Sequence, residues 1–398
     1  MTTATDSLRS APPVSGPDAK PMRVLHLMSS TGYHGAENMA AELIHRLAEM
    51  GVANYLAVLD NCRTSNAELL AAVQPNLAGY VVLPCPGKLN LGVVFRLREY
   101  IREQAIVIAH SHKYKTNIYT LLACLGTGCR LVSTCHNWLG KSLAMRFYAW
   151  LDKRILRSFD MVVGVSNEIV AELTKHVSPH KIVRIGNGID IQKYQRHVSR
   201  DEAKRQLHIG NRHVIGFVGR LSPEKGIGYL LRAVRNLIKE RQDVCVMIVG
   251  DGEQADVLKE EARALQITDR VIFTGNRSDT PMLYATMDVF VLPSLQEAFP
   301  MVLLEAMACG VPIVATRVGD VAEIIEPDTT GMLVEMKDVI ALQNAIRKML
   351  TYPVEAERMS ATARTKAEQS FSSAAMAKQY YAIYERIMGF RLDGEKPE

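Results

Sequence analysis

Short apolar runs alternate with longer amphipathic stretches along most of the chain. Several runs are apolar throughout, which is typical of strands that helices cover on both faces of a parallel sheet. Apolar residues at helical spacing separate them, as in residues 36–50, 94–103 and 143–157. This alternation predicts parallel strands joined by right-handed helical crossovers. The strands predicted in the first half are residues 23–28, 54–59, 80–83, 106–109, 131–134, 161–165 and 182–185.

The alternation pauses at the turn-rich segment Gly186-Asn187-Gly188 and resumes after about residue 200. We expect a domain boundary at this pause, and a final helix that crosses back onto the first half. The strands predicted after the pause are residues 214–218, 244–249, 271–274, 289–292 and 313–315. The predicted division is a disordered leader (1–21), a first domain (22–198), a second domain (199–370) and a closing helix with a tail (371–398).

The predicted fold class is α/β, with two Rossmann-like, doubly wound parallel-sheet domains that face a central cleft. A length of 398 residues agrees with two domains. In open parallel sheets, ligands bind beyond the carboxyl ends of the strands. Two such sheets can direct these ends into one cleft, which suits a reaction between two substrates.

Composition and charge limit both the class of protein and the kinds of partner that it can bind. Apolar residues make up 48% and charged residues 22% of the chain, which excludes a largely disordered protein. The net charge of +5 is too small to indicate nucleic acid. This charge is uneven, because residues 21–199 carry 20 Lys/Arg and 12 Asp/Glu, a net of +8, while residues 200–398 carry 25 and 28, a net of −3. We therefore expect different partners for the two halves.

The cysteines and the apolar segments indicate a cytoplasmic location. The seven cysteines include no CxxC pair, so neither a zinc site nor a disulfide framework is indicated. No stretch approaches the roughly 20 apolar residues of a membrane-spanning helix. The first 21 residues lack the apolar core of a signal peptide.

The strongest chemical signal is the segment from Glu297 to Glu305, which follows the predicted strand 289–292 and opens a helix. Amides in the first turn of a helix favour an anion. Glu305 lies about two helical turns beyond Glu297, so the two carboxylates can hold separate parts of one elongated ligand. Vicinal sugar hydroxyls suit them, because each carboxylate accepts two strong hydrogen bonds. The alternative is a pair of surface glutamates beside a buried helix.

A basic turn gives the second signal, Gly219-Arg220-Leu-Ser-Pro-Glu-Lys225-Gly226. Arg220 and Lys225 flank a turn directly before a predicted helix. A planar guanidinium and a compact ammonium in this arrangement can hold a diphosphate. The spacing is not that of a P-loop, and the alternative is a solvated basic turn.

Histidines follow two neighbouring strands of the first half. His110 and His112 lie at the end of the fourth predicted strand, and His136 follows the fifth. Three histidines at two adjacent strand ends indicate an active site, although a single one is usually a satisfied turn residue. The pair at 110 and 112 lacks a third ligand at suitable spacing, so we predict no metal site.

Together these motifs resemble those of the retaining glycosyltransferases of family 4, the glycosyl transferases group 1, which have the GT-B fold. The resemblance covers residues 22–388. It implies that Glu297 contacts the hydroxyls of the donor sugar and that Glu305 contacts the nucleotide ribose. It also implies that Arg220 and Lys225 bind the donor diphosphate.

The resemblance extends to the first half. Residues 29–37 resemble the family's glycine loop, with His34-Gly35 in place of the common Gly-Gly pair. His136 resembles the histidine that the family places against the donor sugar. The predicted catalytic groups are His136, Glu297, Arg220 and Lys225. The predicted donor-binding residues are Gly35, Arg220, Lys225, Asn276, Arg277, Glu297, Phe299, Met301, Val302 and Glu305. The predicted acceptor-side residues are His34, His112 and Lys115.

The implied function is transfer of a sugar, with retention of configuration, from a nucleotide-diphosphate sugar to a hydroxyl of a glycan or lipid-linked acceptor, in bacterial polysaccharide biosynthesis. The donor is a co-substrate, and we expect no other cofactor and no nucleic acid partner. Two alternatives stay open: a non-catalytic subunit that binds sugar nucleotides, and a UDP-sugar epimerase of GT-B fold.

A basic amphipathic helix is predicted at residues 141–157, with five basic residues against Asp152. Such a helix suggests contact with an anionic membrane surface or an anionic acceptor. It would place the protein at the inner face of the membrane. The alternative is a helix that packs on the sheet and exposes a basic face.

Overall fold

The computed structural model describes residues 21–29, 35–62, 65–87, 90–136 and 143–389, without the side chains of 143–147. The predicted leader therefore lies outside the described residues except for residue 21, and so does the tail from residue 390. Of the predicted site residues, His34 lies outside them.

The first sheet contains seven parallel strands in the order β3-β2-β1-β4-β5-β6-β7. Its central strands are buried along their length, as expected for a parallel sheet covered on both faces. Its strands are β1 (Arg23–Ser29), β2 (Ala53–Asp60), β3 (Gly79–Pro84), β4 (Ile108–Ser111), β5 (Arg130–Cys135), β6 (Met161–Gly164) and β7 (Ile182–Arg184). The helices between them are α1 (Gly35–Glu49), α2 (Ala67–Val73), α3 (Leu91–Glu103), α4 (Tyr114–Cys124), α5 (Leu143–Ile155) and α6 (Asn167–Leu173).

The second sheet contains six parallel strands in the order β10-β9-β8-β11-β12-β13. Helix α7 (Arg200–Gln206) precedes it. Its strands are β8 (His213–Val218), β9 (Val244–Val249), β10 (Val271–Gly275), β11 (Val289–Leu292), β12 (Ile313–Thr316) and β13 (Met332–Val334). Its helices are α8 (Ile227–Glu240), α9 (Ala255–Ala264), α10 (Thr280–Thr286), α11 (Met301–Ala308), α12 (Val321–Ile324), α13 (Val339–Thr351) and α14 (Pro353–Ser370).

The last helix, α15 (Ser373–Met388), packs on α1 of the first half. Its buried side chains Met376, Tyr380 and Tyr384 join a core cluster with Met39 and Leu43 of α1. The chain thus returns to its first sheet after it has completed the second. No helix among the described residues has both the length and the apolar character needed to cross a bilayer.

Two strand predictions differ from the structure. Strand β4 begins at Ile108, two residues later than predicted, because the amide of Ile106 bonds the carbonyl of Ile101 and closes the end of α3. The edge strand β13 has three residues and was not predicted.

Candidate active site at the interdomain cleft

The predicted motifs follow the strands at the centre of each sheet. In the first sheet the connection order reverses between β1 and β4, and in the second between β8 and β11. A crevice forms beyond the carboxyl ends of strands at such a point. Ser29 of the glycine-loop segment ends β1 and Gly35 opens α1, and His112 follows β4; the basic turn follows β8, and Glu297 follows β11. The motifs therefore lie at the two ligand-binding edges that the topology creates.

Lys225 and Glu297 form an ion pair at the second of these edges. Lys225 Nζ lies 2.7 Å from Glu297 Oε1, and the hydroxyl of Ser294 donates to the same oxygen at 2.7 Å. The Glu297 side chain is 7% exposed and that of Lys225 is 20% exposed. Arg220 is exposed nearby. Because Glu224 lies in the same turn, two carboxylates and two cations thus lie within one short region of the cleft.

A close backbone contact holds the basic turn against the turn after β11. Gly226 has a φ of +62°, and a β-carbon there would lie 2.2 Å from the carbonyl oxygen of Pro293. The amide of Leu295 also donates to the carbonyl of Glu224 at 2.7 Å. Only glycine permits both this conformation and this approach. The contact fixes the distance between Lys225 and the carboxylate after β11.

The N-termini of α1 and α11 meet across the cleft. Helix α11 begins at Met301 after Pro300, and its first amides belong to Met301 and Val302. A β-carbon built at Gly35, the first residue of α1, would lie 3.8 Å from Met301 Cγ. Both helix ends therefore direct partial positive charge to one region, where an anion would be stabilised.

Glu305 is buried on α11 and accepts a hydrogen bond from Tyr284. The Tyr284 hydroxyl lies 2.9 Å from Glu305 Oε2. Burial raises the pKa of the Glu305 carboxyl, although the Tyr284 and Tyr194 hydroxyls oppose this shift. The carboxylate is thus held in one orientation by its neighbours. Its predicted contact with a ribose stays a prediction.

The other predicted donor residues differ in their exposure to solvent. The ring of Phe299 is buried at the domain boundary, where it packs against Gly186 and lies 5.8 Å from the ring of Phe371. Asn276 and Arg277 are exposed after β10, and the Arg277 guanidinium makes a two-bonded pair with Asp279. The Phe299 ring is therefore part of the packing at the domain boundary.

Four histidines form a column in the first domain. His26 and His110 lie opposite each other on β1 and β4, His112 follows β4, and His136 follows β5. Adjacent ring centroids are 4.2 Å apart for His110 and His112 and 6.5 Å apart for His112 and His136. The column thus runs from the sheet interior to the strand ends at the cleft.

Burial keeps these imidazoles neutral. It lowers the pKa of His26 and that of His136 to about 4, and it lowers the pKa values of His110 and His112 well below the ordinary value. Lys113 adds repulsion at His136, because a positive charge disfavours the imidazolium. At neutral pH each ring therefore offers one N–H donor and one lone pair.

A buried ion pair borders the column at the cleft. The ammonium of Lys113, at the start of α4, bonds the carboxylate of Glu37 in the first turn of α1. Glu37 is 2% exposed. The predicted acceptor residue Lys115 instead donates to the carbonyls of Cys85 and Gly87, each at 3.2 Å. Lys115 therefore anchors the chain that follows β3.

A cavity of about 570 Å³ lies between the two domains. The second domain contributes Lys225, Glu297 and Glu224 to its wall, and the first domain contributes Glu172 and Lys175. Lys225 and Glu297, two of the predicted donor groups, therefore border a space that both halves enclose.

The fold supplies the third imidazole that the sequence did not reveal. Ligand nitrogens of His26, His110 and His112 all lie within 4.8 Å of one another. Both ring nitrogens of His110 already have partners, the Tyr384 hydroxyl at 2.7 Å and the Thr134 hydroxyl at 2.8 Å. The prediction of no metal is not tested by this arrangement.

Sequence reasoning did not select His26, Glu37 or Lys113. His26 gave one signal, because it is the only polar residue within the apolar run of β1 before Ser29. Glu37 is the last residue of the glycine-loop segment and Lys113 directly follows His112, but their pairing joins two segments that are distant in the chain. A sequence pattern cannot report such a pair.

Comparison with known proteins identifies the family. A family model described as "Glycosyl transferases group 1" matches residues 199–366, and one described as "Glycosyltransferase Family 4" matches residues 33–193. An MMP alpha-(1->4)-mannosyltransferase of Mycolicibacterium hassiacum is 30% identical over 294 residues, which cover 67% of this chain and 69% of that relative.

One further relative agrees with this family, and one solved structure agrees with the fold. The UDP-Gal:alpha-D-GlcNAc-diphosphoundecaprenol alpha-1,3-galactosyltransferase of Escherichia coli is 29% identical over 266 residues, 63% of this chain and 68% of that relative. The crystal structure of Anabaena HepE in complex with UDP is 22% identical, covers 92% of this chain and 100% of its own, and has a TM-score of 0.80. The predicted fold and family are therefore confirmed, and the chain is a glycosyltransferase that belongs to the glycosyl transferases group 1, family 4, with the GT-B fold.

Proposed function

We propose that the protein transfers a sugar, with retention of configuration, from a nucleotide-diphosphate sugar to a hydroxyl of a lipid-linked or glycan acceptor. The observation that carries this proposal is the ion pair between Lys225 and Glu297 beside the meeting N-termini of α1 and α11. The region combines positive charge for a diphosphate with a buried carboxylate for sugar hydroxyls. The donor lies mainly on the second domain and the acceptor on the first.

The second domain stabilises the leaving group in this proposal. As the bond between the anomeric carbon and the phosphate oxygen breaks, negative charge grows on the diphosphate. Lys225, Arg220 and the amides of Met301 and Val302 stabilise this charge, because they are oriented before the reaction begins. In this proposal Arg220 and Lys225 supply the positive charge for the diphosphate, and no metal is required. Glu297 orients the sugar through its hydroxyls.

The acceptor attacks from the face that the diphosphate leaves. The acceptor oxygen forms the new bond to the anomeric carbon, and its proton passes to the departing phosphate oxygen. Configuration is thereby retained. His136 lies on the sugar side and contributes hydrogen bonding. Closure of the two domains excludes water and so protects the donor from hydrolysis.

A UDP-sugar is the first donor to test, and a lipid diphosphate is the first acceptor. The Escherichia coli relative is named as an enzyme that uses UDP-galactose on a diphosphoundecaprenol acceptor. Other relatives are named as mannosyltransferases or glycogen synthases, so the donor sugar varies within the family. The cationic first domain also suits an acceptor that carries phosphate.

A screen of UDP-, GDP- and ADP-sugars, with and without polyprenyl diphosphate sugars, tests the function. Transfer that requires an acceptor supports it. Conversion of the donor sugar into an epimer without an acceptor would indicate the epimerase, and nucleotide binding without any product would indicate the binding subunit. The Lys225→Ala variant is the control for a contaminating activity.

We further propose that α5 contacts an anionic membrane surface. Its inner face is anchored, because the buried Asp152 accepts a hydrogen bond from Asn117 at 2.7 Å. On the outer face Trp150 is 51% exposed and the Arg154 guanidinium lies 4.9 Å from the centroid of its ring. Exposed tryptophan with arginine suits the interface of a bilayer.

Sedimentation with vesicles tests this contact. We expect binding to vesicles that contain phosphatidylglycerol and weak binding to pure phosphatidylcholine. The double substitution of Trp150 and Arg154 by Ala should reduce binding. The matched control replaces Tyr229 and Arg232, a similar stacked pair in the second domain with a ring-to-guanidinium distance of 4.7 Å. Equal losses in both double variants would contradict the assignment to α5.

A further inference from the structure

Three buried side chains form a chain of hydrogen bonds below the cleft. His26 Nε2 lies 3.2 Å from Asn54 Oδ1, and His26 Nδ1 lies 3.3 Å from His112 Nε2. Asn54, on β2, is 1% exposed, and both histidines are fully buried. The mechanism above uses neither Asn54 nor His26.

We propose that Asn54 and His26 are positioning residues that hold His112 as the Nε2–H tautomer, so that its Nδ1 lone pair accepts a hydrogen bond from a substrate hydroxyl. The identity of that hydroxyl rests on the proposed function. The tautomer does not, because it follows from contacts within the protein.

The chain of hydrogen bonds begins at two backbone carbonyls. Asn54 Nδ2 lies 3.1 Å from the carbonyl oxygen of Ile44 and 3.2 Å from that of Val52. Carbonyl oxygens only accept, so the amide nitrogen must face them, and the amide oxygen must face His26. The opposite orientation would place three acceptors together in a buried site. The direction of the first bond is therefore fixed by the backbone of α1 and β2.

The direction of each later bond follows from the first. Because Asn54 Oδ1 accepts, His26 carries its proton on Nε2. A neutral His26 then has a lone pair on Nδ1, and this lone pair accepts from Nε2–H of His112. A neutral His112 consequently has no proton on Nδ1. One asparagine thus determines the proton positions on two imidazoles.

The chain ends at an acceptor without a partner. His112 Nδ1 is buried and makes no hydrogen bond with any residue that the structure describes, and the same holds for Nε2 of His136. A buried polar atom of this kind is costly until a ligand completes it. His112 directly follows β4 at the ligand-binding edge, next to the residue that pairs with Glu37. A hydroxyl brought to this edge would supply the missing donor.

The arrangement favours hydrogen bonding over a metal ion. A metal on Nε2 of His112 would require a proton on its Nδ1, and that proton would have no acceptor. Metal-bound histidines ordinarily donate this second proton to a partner. The alternative to the proposed hydrogen bonds is a metal ion that His26, His110 and His112 bind together.

Nitrogen-15 NMR of the wild-type protein tests the tautomer without any substrate. The spectrum distinguishes protonated from bare imidazole nitrogens, and the His112→Asn variant assigns the signal. We expect a bare Nδ1 and a protonated Nε2 at pH 7. A protonated Nδ1 would overturn the proposal, and so would a bound transition metal in the purified protein. Either result leaves the proposed transferase function standing.

Two substitutions of His112 test the role of the lone pair. The side-chain oxygen of Asn can occupy the position of Nδ1 and accept there, whereas the amide nitrogen of Gln can occupy the position of Nε2 and donate to His26. We expect His112→Asn to keep a kcat at least about tenfold higher than that of His112→Gln, since the acceptor matters to the substrate. A purely structural His112, needed only for its bond to His26, would give the reverse order and contradict the proposal.

Substitutions of His26 test the positioning role in the same assay. His26→Ala removes the acceptor for Nε2–H of His112, and we expect a mixed tautomer at His112 and a fall of about tenfold in kcat. His26→Asn restores an acceptor at the Nδ1 position and should recover both the tautomer and much of kcat. Tyr384→Phe, which removes a bond to His110 only, is the matched control. Equal effects from His26→Ala and Tyr384→Phe would mean general loosening of the column and would overturn the proposal.

Discussion

Lys225 Nζ bonds Oε1 of Glu297 at 2.7 Å, so the group predicted for the donor diphosphate and the group predicted for the donor sugar are direct partners. The pair neutralises a carboxylate that is 7% exposed. It also means that a substitution of either residue changes the environment of the other.

We expect Lys225→Ala to lower kcat/KM for transfer by about 100-fold, because a preorganised cation at the leaving diphosphate is lost. The same change leaves the Glu297 carboxylate without its cation, although Ser294 still donates to it, and should lower the free energy of unfolding by about 1–3 kcal/mol. Kinetics and urea unfolding measure the two effects. Lys259→Ala, at an exposed helical pair, is the control. Near-normal transfer by a folded Lys225→Ala variant would contradict the site assignment.

We expect Glu305→Gln to stabilise the protein while it weakens donor binding. Burial raises the pKa of this carboxyl, so the folded state disfavours its charge, and stability falls as pH rises above the unfolded pKa. Gln removes that charge but can still accept from Tyr284. Its neutral oxygen binds ribose hydroxyls less strongly, so the Kd for the nucleotide should rise about tenfold. Thermal unfolding at pH 7 measures the change in stability, and calorimetry measures the change in nucleotide affinity. A lower Tm with unchanged affinity would refute the interpretation.

We expect acid to destabilise the protein through the histidine column. The pKa values of His26 and His136 are lowered to about 4, so these rings bind protons more readily when the chain is unfolded. Their contribution is present above the unfolded pKa of about 6.5 and is lost as pH falls towards 4, by about 1 kcal/mol per histidine between pH 6.5 and 5.5. Urea unfolding across this range measures the slope. His26→Asn should reduce the slope, and an unchanged slope would be inconsistent with a buried neutral His26.

We expect Asp320→Ala to loosen the contact between the two domains. Asp320, on the second domain, accepts from Arg184 at 3.0 Å and from the amide of Asn167 at 3.1 Å, and its side chain is 4% exposed. These contacts bridge the first and second domains. Small-angle scattering should show a larger radius of gyration, and the KM for the donor should rise. Glu335→Ala, which breaks an exposed pair within one domain, should leave both quantities unchanged.

We expect Tyr384→Phe to weaken the attachment of α15 by about 1–2 kcal/mol, since His110 Nδ1 loses its hydroxyl partner. Thermal unfolding measures this loss. Tyr381→Phe is the neighbouring control, because Tyr381 is only partly buried. A loss from Tyr381→Phe as large as that from Tyr384→Phe would argue against a specific bond.

The sequence by itself determined the family, the two-sheet architecture and most of the chemical groups. Strands buried on both faces are mostly apolar, so β9 and β11 were visible as continuous runs and β1 as a run that only His26 interrupts. Motifs such as the segment from Glu297 to Glu305 are local, because one strand, one turn and one helix orient them. Local geometry of this kind follows from residue spacing alone.

Only the tertiary structure decided which groups meet. The pair between Lys225 and Glu297 depends on the close approach of Gly226 to Pro293, and the pair between Glu37 and Lys113 depends on the adjacency of β1 and β4. The third histidine, His26, was one polar residue in an apolar strand until the fold placed it beside His112. Such relationships arise from the crossover order of parallel strands, which brings together residues that are far apart in the chain.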